Sequence, residues 1–101
     1  MDVIGVVSDG ESAVRAYEEL NPDVVVMDIF MPYADGIQAT RQICQSHPAS
    51  RVVVLTGHDY PWLREEALAA GAAAFVTKHT APDILPAVIR DVVRRDKAPD
   101  P

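Results

Sequence analysis

The sequence has 101 residues, 49% of them hydrophobic, and a formal net charge of −6. This length predicts one small domain with a core of its own. The acidic balance argues against direct nucleic-acid binding, which normally uses a basic surface. No segment is apolar for long enough to cross a membrane, and no signal-peptide pattern opens the chain. Because the single cysteine, Cys44, cannot form an internal disulfide, we expect a reducing, cytoplasmic setting.

Four apolar runs alternate with four segments of helical periodicity. Each run is apolar without a break, which indicates a strand buried on both faces. The runs are Val3–Val7, Val24–Asp28, Arg51–Thr56 and Ala74–Thr77. This alternation predicts an α/β fold whose parallel sheet carries helices on both faces. We place the domain at residues 1–94 and interpret the charged, proline-rich residues 95–101 as a linker or tail.

Turn-forming residues predict where the helices begin and end. Asn21 before Pro22 ends the first helix, because a residue that precedes proline is pushed out of the helical region. Asp35 is expected to cap the second helix. Pro61 suits the first position of the third helix, and Gly71 suits its end.

Two further features lie in the second half of the chain. Pro86 falls inside the last helical pattern, where the missing N–H is expected to distort the helix. Tyr60 and Trp62 follow the third strand. For these two rings we favour core packing over an exposed partner surface.

Three residues of complementary chemistry close three of the predicted strands. Asp28 ends the second strand, Thr56 ends the third, and Lys78 follows the fourth. Because ligands bind at the carboxyl ends of parallel strands, which share one edge, we expect the three side chains to converge. The trio suits phosphoryl transfer, with a carboxylate nucleophile, a hydroxyl donor and a balancing ammonium. Each residue alone has an ordinary alternative, as a turn aspartate, a strand-end threonine or a surface lysine.

The motifs around these residues resemble the receiver domain of two-component response regulators. The matching pieces are Asp23–Asp28, Met31-Pro32, Asp35-Gly36, Val54–Gly57, Ala70–Ala72, Phe75–Lys78 and Pro82. The sequence looks most like receivers attached to helix-turn-helix output domains. The resemblance implies a flavodoxin-like fold, here truncated to about four strands, and a role in signal transduction and transcription regulation.

The resemblance also implies roles for individual residues. Asp28 would be the phosphoacceptor for a histidine kinase, Thr56 the switch hydroxyl, and Lys78 the lysine of the site. Phe75 stands at the aromatic switch position, and a plain core aromatic is an equally good interpretation. Phe30 would offer its backbone carbonyl to Mg²⁺, with Asp28 as the carboxylate ligand.

Two acidic residues that hold Mg²⁺ in the family have no counterpart here, because the sequence begins at what would be the family's second strand. Mg²⁺ prefers sites with several oxygen ligands and offsets the charge of an incoming phosphoryl group. We therefore expect weak or absent Mg²⁺ binding and weak phosphorylation. Asp9 or Glu11 could substitute as ligands, although we favour a helix-capping role for both.

The strand that precedes the match is central in the family's strand order of 2-1-3-4-5, so one flank of Val24–Asp28 needs another partner. Val3–Val7 could pair with that flank directly. A second copy of the chain could fill the gap by exchange, or the domain could associate through open edges. We expect a dimer or larger assembly rather than a monomer.

Two other classes of function stay open. A pseudo-receiver would work without phosphorylation as a dimerisation or protein-interaction module, and the absent acidic pair favours it. A hydrolase of the haloacid dehalogenase type would also form an aspartyl phosphate. That family, however, places a second aspartate two residues on, where this chain has Phe30. We therefore expect that the chain is not an enzyme.

Overall fold

The computed structural model describes residues 3–6, 10–29 and 33–94. Strands and helices alternate as predicted: β1 (Val3–Val6), α1 (Gly10–Leu20), β2 (Val24–Ile29), α2 (Tyr33–Ser46), β3 (Val52–Thr56), α3 (Pro61–Ala69), β4 (Ala74–Thr77) and α4 (Ala81–Arg94). The strands pair in parallel in the order β1-β2-β3-β4. The predicted fold is confirmed, and the linker or tail proposed for residues 95–101 lies outside the described residues. None of the described helices has the length and apolar character to cross a bilayer.

β1 pairs directly with β2, the strand that carries Asp28, and so satisfies the backbone hydrogen-bonding groups on that side of β2. Val3 lies opposite Val24, and the register continues to Val6 opposite Met27. On its other side β2 pairs with β3. Of the three arrangements considered above, the first is the one observed. Because β2 has a strand on each side within one chain, the sheet does not need exchange with a second copy.

The two faces of the sheet carry different numbers of the described helices. Three helices, α1, α2 and α3, cover one face with the buried side chains Ala13, Tyr17, Ile37, Ile43, Leu63 and Ala67. They pack against Met27 and Ile29 of β2. On the other face α4 packs Val92 against a cluster that includes Val24 and Val53. This division follows from the alternation of side chains along a strand, which sends successive residues of β2 to opposite faces.

The helix ends match the predictions with one exception. Asn21 has a φ of 45° and its N–H donates to the Tyr17 carbonyl at 2.8 Å, which ends α1 as predicted. Pro61 opens α3. The prediction that Asp35 caps α2 was wrong, because the helix begins at Tyr33 and Asp35 lies in its first turn. A carboxylate in this turn still favours the helix, since it faces the positive end of the helix dipole.

Pro86 does not break α4. The helix runs without interruption from Ala81 to Arg94, with Pro86 inside it. Its first turn is closed by the Asp83 and Ile84 N–H groups, which donate to the Thr80 carbonyl at 3.1 and 3.2 Å. Pro86 therefore removes one hydrogen bond from the second turn without ending the helix.

Gly36 allows α2 to lie close against β2. A Cβ at this position would overlap Cγ2 of Ile29 and would lie 2.8 Å from Cβ of the same residue. Since Ile29 is itself buried in the core, it has little room to move away. The glycine of the Asp35-Gly36 pair is thus explained by packing.

We expect Gly36→Ala to lower the free energy of unfolding by about 1–3 kcal/mol, as overpacked cores do. This loss should exceed the gain of up to about 1 kcal/mol that alanine brings to a helix. Urea denaturation measures the difference. Gly57→Ala is the control, because a Cβ there meets nothing within 4 Å. Equal unfolding midpoints for the two variants would contradict the close packing of α2.

Candidate functional site

An ion pair joins two of the three predicted site residues across the edge of the sheet. Lys78 Nζ lies 3.0 Å from Asp28 Oδ1. Asp28 belongs to β2 and Lys78 follows β4, so the pair spans the end of β3, which lies between them. Both side chains keep contact with solvent, at 40% exposure for Lys78 and 24% for Asp28. The sequence prediction that these two groups converge is therefore matched by the geometry.

Backbone hydrogen bonds hold Lys78 at this edge. Its N–H donates to the Thr56 carbonyl at 2.7 Å, which continues the pairing of Thr77 with Thr56 by one residue. A turn then reverses the chain, with the Thr80 N–H and hydroxyl both donating to the Thr77 carbonyl at 3.1 and 3.3 Å. Lys78 is thus anchored by the strand before it and the turn after it, while its long side chain reaches across to Asp28.

Lys78 is the group that balances the charge of Asp28. Asp28 Oδ1 is buried as an atom, and apart from the ion pair it has no hydrogen-bond partner within the described residues. A buried carboxylate oxygen without such a partner is costly. The ammonium of Lys78 therefore offsets the charge of the Asp28 carboxylate.

Thr56 lies at the same edge of the sheet as Asp28 and Lys78. Thr56 is fully buried. In the parallel register it lies opposite Ile29, the residue that follows Asp28. Thr56 Oγ1 accepts a hydrogen bond from the His58 N–H at 3.3 Å. Among the described residues no hydrogen bond joins Thr56 to Asp28. An oxygen that accepts in this way keeps its own hydrogen to donate.

Phe75 is buried in the core beneath the three-helix face. Arg64 of α3 covers its ring, with the guanidinium carbon 4.7 Å from the ring centroid. Of the other predicted site residues, Phe30 and Asp9 lie outside the described residues, as does the side chain of Glu11. Their predicted roles stay predictions.

The described residues do not by themselves fit a magnesium site. Among the side chains that the structure describes, no three His, Cys, Asp or Glu residues come together as metal ligands. Asp28 is a single carboxylate that already pairs with Lys78. Mg²⁺ is small, keeps several waters and requires oxygen ligands in near-octahedral geometry. One carboxylate, already paired with Lys78, supplies too few of these ligands.

Three aromatic rings after β3 form an exposed stack, which sequence reasoning missed. The rings of His58 and Tyr60 lie 5.1 Å apart at 2°, and those of Tyr60 and Trp62 lie 5.8 Å apart at 11°. Tyr60 is 40% exposed and Trp62 52%, so the prediction of core packing was wrong. Tyr60 is extended and Trp62 lies in the first turn of α3, so the stack joins a loop to a helix and no single sequence periodicity predicts it.

Cys44 is a structural residue rather than a nucleophile. Its thiol contacts the Gly71 carbonyl at 3.4 Å, and Gly71 has a φ of 113° with no room for a Cβ beside Cys44. Burial raises the pKa of the Cys44 thiol above its usual range. At neutral pH the thiol is therefore protonated and poorly reactive.

Comparison with known proteins places this arrangement among signalling domains. Residues 1–90 match the family described as response regulator receiver domain. The chain is 37% identical over 93 residues to the transcriptional regulatory protein DegU of Brevibacillus brevis, a match that covers 92% of this chain and 39% of DegU. The chain thus spans about two fifths of the length of this curated relative.

Solved structures give the same match in three dimensions. A two-component response regulator of the LuxR family from Aurantimonas sp. SI85-9A1 superposes with a TM-score of 0.84 at 29% identity, covering 100% of this chain and 91% of that one. The CheX–CheY–BeF3–Mg²⁺ complex from Borrelia burgdorferi gives a TM-score of 0.73 at 30% identity, with 83% and 64% of the two chains covered.

The ion pair can be tested through stability. Lys78→Met leaves a buried carboxylate oxygen without its cation, and we expect a loss of about 1–2 kcal/mol in the free energy of unfolding. Asp28→Asn, which removes the charge instead, should cost less, and the double variant should be more stable than Lys78→Met alone. Chemical denaturation of the three variants measures this. Strictly additive losses would contradict a direct interaction between the two side chains.

Proposed function

Because the chain belongs to the response regulator receiver domain family, we propose that it accepts a phosphoryl group on Asp28 from a histidine kinase. The contact between Lys78 and Asp28 at 3.0 Å is the observation that carries the proposal. It places a cation beside the one carboxylate that closes β2, where an incoming phosphoryl group adds negative charge. A structural aspartate in a turn would not require a lysine from two strands away.

In the proposed reaction an Asp28 carboxylate oxygen attacks the phosphorus of a phosphohistidine on the kinase. The new O–P bond forms as the P–N bond breaks, and the electron pair returns to the imidazole nitrogen. Lys78 balances the charge on the transferred group, as a compact ammonium on a flexible stem can. Thr56 donates its hydroxyl hydrogen to a phosphoryl oxygen. The product is an acyl phosphate on Asp28.

Mg²⁺ is proposed to bind weakly to this chain. The described residues supply one carboxylate, and that carboxylate is already paired with an ammonium. A cation would have to displace Lys78 or share the carboxylate with it. No step of the proposed transfer is therefore assigned to the metal.

We also propose that the chain acts in the cytoplasm as a signalling domain and not as an enzyme. The name of DegU as a transcriptional regulatory protein supports an output in transcription regulation. With a net charge of −6, this chain is not proposed to contact DNA itself.

A second candidate function is a pseudo-receiver that associates without phosphorylation. The single carboxylate that the described residues supply at this edge favours it, because Mg²⁺, which offsets the charge of an incoming phosphoryl group, binds poorly to one carboxylate. The apolar stripe of α4 favours self-association: Ile84 is exposed, and Leu85, Val88 and Ile89 are only partly buried. We therefore propose that the chain forms a homo-oligomer through this stripe.

We expect a small-molecule phosphodonor with Mg²⁺ to phosphorylate only a minor fraction of the chain, read as the mass of one added phosphoryl group. Asp28→Asn should abolish the adduct, and Ser46→Ala, a change at the far end of α2, should leave it unchanged. A stable adduct at near-full occupancy would contradict the weak magnesium site. An adduct retained in Asp28→Asn would contradict Asp28 as the acceptor. If neither the phosphodonor nor a histidine kinase gives an adduct, the pseudo-receiver is favoured.

We expect light scattering on the purified chain to give the mass of a dimer or larger assembly. Ile84→Glu places a charge on the exposed side of α4 and should reduce the mass towards that of the monomer. Glu65→Lys, at an exposed position of α3, serves as the control and should leave the mass unchanged. A monomeric mass for the unmodified chain at all concentrations measured would overturn the oligomer.

A further inference from the structure

The three aromatic rings after β3, which we name the ring stack, leave an aromatic surface accessible to other molecules. His58, Tyr60 and Trp62 lie nearly parallel, and Tyr60 is the ring that both contacts share. The centroid distances of 5.1 and 5.8 Å are those of offset stacks, in which each ring covers only part of its neighbour. Because Trp62 is 52% and Tyr60 40% exposed, part of this surface faces solvent.

The backbone around the ring stack is held firmly. Pro61 lies between Tyr60 and Trp62 and has a restricted φ. The next residue, Leu63, is fully buried, and its N–H donates to the Tyr60 carbonyl at 3.0 Å. The rings are therefore arranged before any partner binds, which lowers the entropy that binding costs.

The side chains beside the ring stack are acidic. Glu65 and Glu66 lie three and four residues after Trp62 on α3, so they are its neighbours on the helix surface. Both are exposed, and the ion pairs of the described residues include neither of them. The basic residue between Trp62 and Glu65, Arg64, already contacts Asp59 Oδ1 at 3.6 Å. We name Glu65 and Glu66 the acidic border.

An anion is a poor ligand for this surface, although the surface lies at the amino-terminal end of α3. The helix dipole favours negative charge at such an end. Pro61, however, has no N–H, and the N–H groups of Leu63 and Arg64 both donate to the Tyr60 carbonyl, at 3.0 and 3.1 Å. These donors are occupied, and the acidic border would repel an anion. The net charge of −6 also disfavours nucleic acid.

A cation fits the same surface, and arginine fits it best. Aromatic faces attract cations, and tryptophan does so most strongly. A planar guanidinium can lie on a ring while its edge pairs with a carboxylate. The chain itself contains this arrangement, because the guanidinium carbon of Arg64 lies 4.7 Å from the Phe75 ring centroid and one of its nitrogens contacts Asp59.

We propose that the ring stack and its acidic border form a docking site for an arginine-containing basic segment of a partner protein. In the complex an arginine side chain lies on the exposed face of Trp62 and pairs with the acidic border. Exposed ion pairs are weak and screened by salt, so the association is transient. The site uses neither Asp28 nor Lys78 and does not depend on the proposed phosphoryl transfer.

Fluorescence anisotropy of a labelled peptide of alternating arginine and glycine measures binding to the purified chain. We expect saturable binding that Trp62→Leu weakens by about fivefold, because leucine offers no aromatic face to a cation. Glu66→Gln should weaken binding by about threefold through the loss of one exposed ion pair. Glu19→Gln, the same change at an exposed position of α1, is the control and should leave the affinity unchanged. A lysine counterpart of the peptide should bind more weakly, since an ammonium is not planar.

The emission of the unmodified chain locates the bound peptide. Trp62 is the single tryptophan of the sequence, so the unlabelled arginine peptide should change its fluorescence along the same binding curve. Binding without this change would overturn the proposal. Equal affinities for the arginine and lysine peptides, or equal losses in Glu19→Gln and Glu66→Gln, would show general charge attraction and overturn it as well.

Two further measurements distinguish other occupants of the ring stack. A fall in the mass of the chain on Trp62→Leu, read by light scattering, would show that a second copy covers the rings and would overturn the proposed partner. Tighter binding of a short DNA duplex than of the arginine peptide would overturn it too. Circular dichroism confirms that each variant is folded. Failure of Asp28 to accept a phosphoryl group would leave all these results intact, so the two proposals fail separately.

Discussion

The backbone hydrogen bonds of β2 are the constraint on which the rest of the structure depends. This strand is apolar on both faces and lies under helices, so water cannot satisfy its N–H and C=O groups. Both flanks must therefore find strands, and β1 and β3 supply them. Once β2 is fixed between them, its last residues lie at the edge of the sheet, and Asp28 is held where a ligand or partner can approach.

The site that results is governed by charge. A carboxylate at a partly enclosed edge needs a cation, and in this chain Lys78 provides it. Lys78 offsets the charge of Asp28, and in the proposed transfer it would also balance the charge of the phosphoryl group. A metal ion that bound Asp28 would have to compete with the Lys78 ammonium, which is already in contact with the carboxylate.

The segment after Thr56 connects this site to the surface. Its hydrogen bond to Thr56, its stacked rings and its contact with Arg64 involve residues that are mostly exposed. Such contacts are individually weak, so this segment is held less firmly than the sheet beneath it. Phe75 is buried, and its ring is covered by Arg64 of α3, whose guanidinium also contacts Asp59 of this segment.

Local pattern was enough to determine the order of the elements and the parallel sheet, and to predict that the Asp28 and Lys78 side chains meet. Uninterrupted apolar runs, turn residues and strand-end polar groups are signals carried within a few residues. Three other features depend on which distant segments meet. They are the strand that pairs with the open flank of β2, the close packing at Gly36, and the contacts of Arg64 with Asp59 and Phe75. The predictions that Asp35 caps α2 and that Tyr60 and Trp62 are buried were wrong for the same reason. A residue type restricts what a side chain can do, but only the tertiary structure decides what it touches, since contacts between distant segments are set by how whole elements pack.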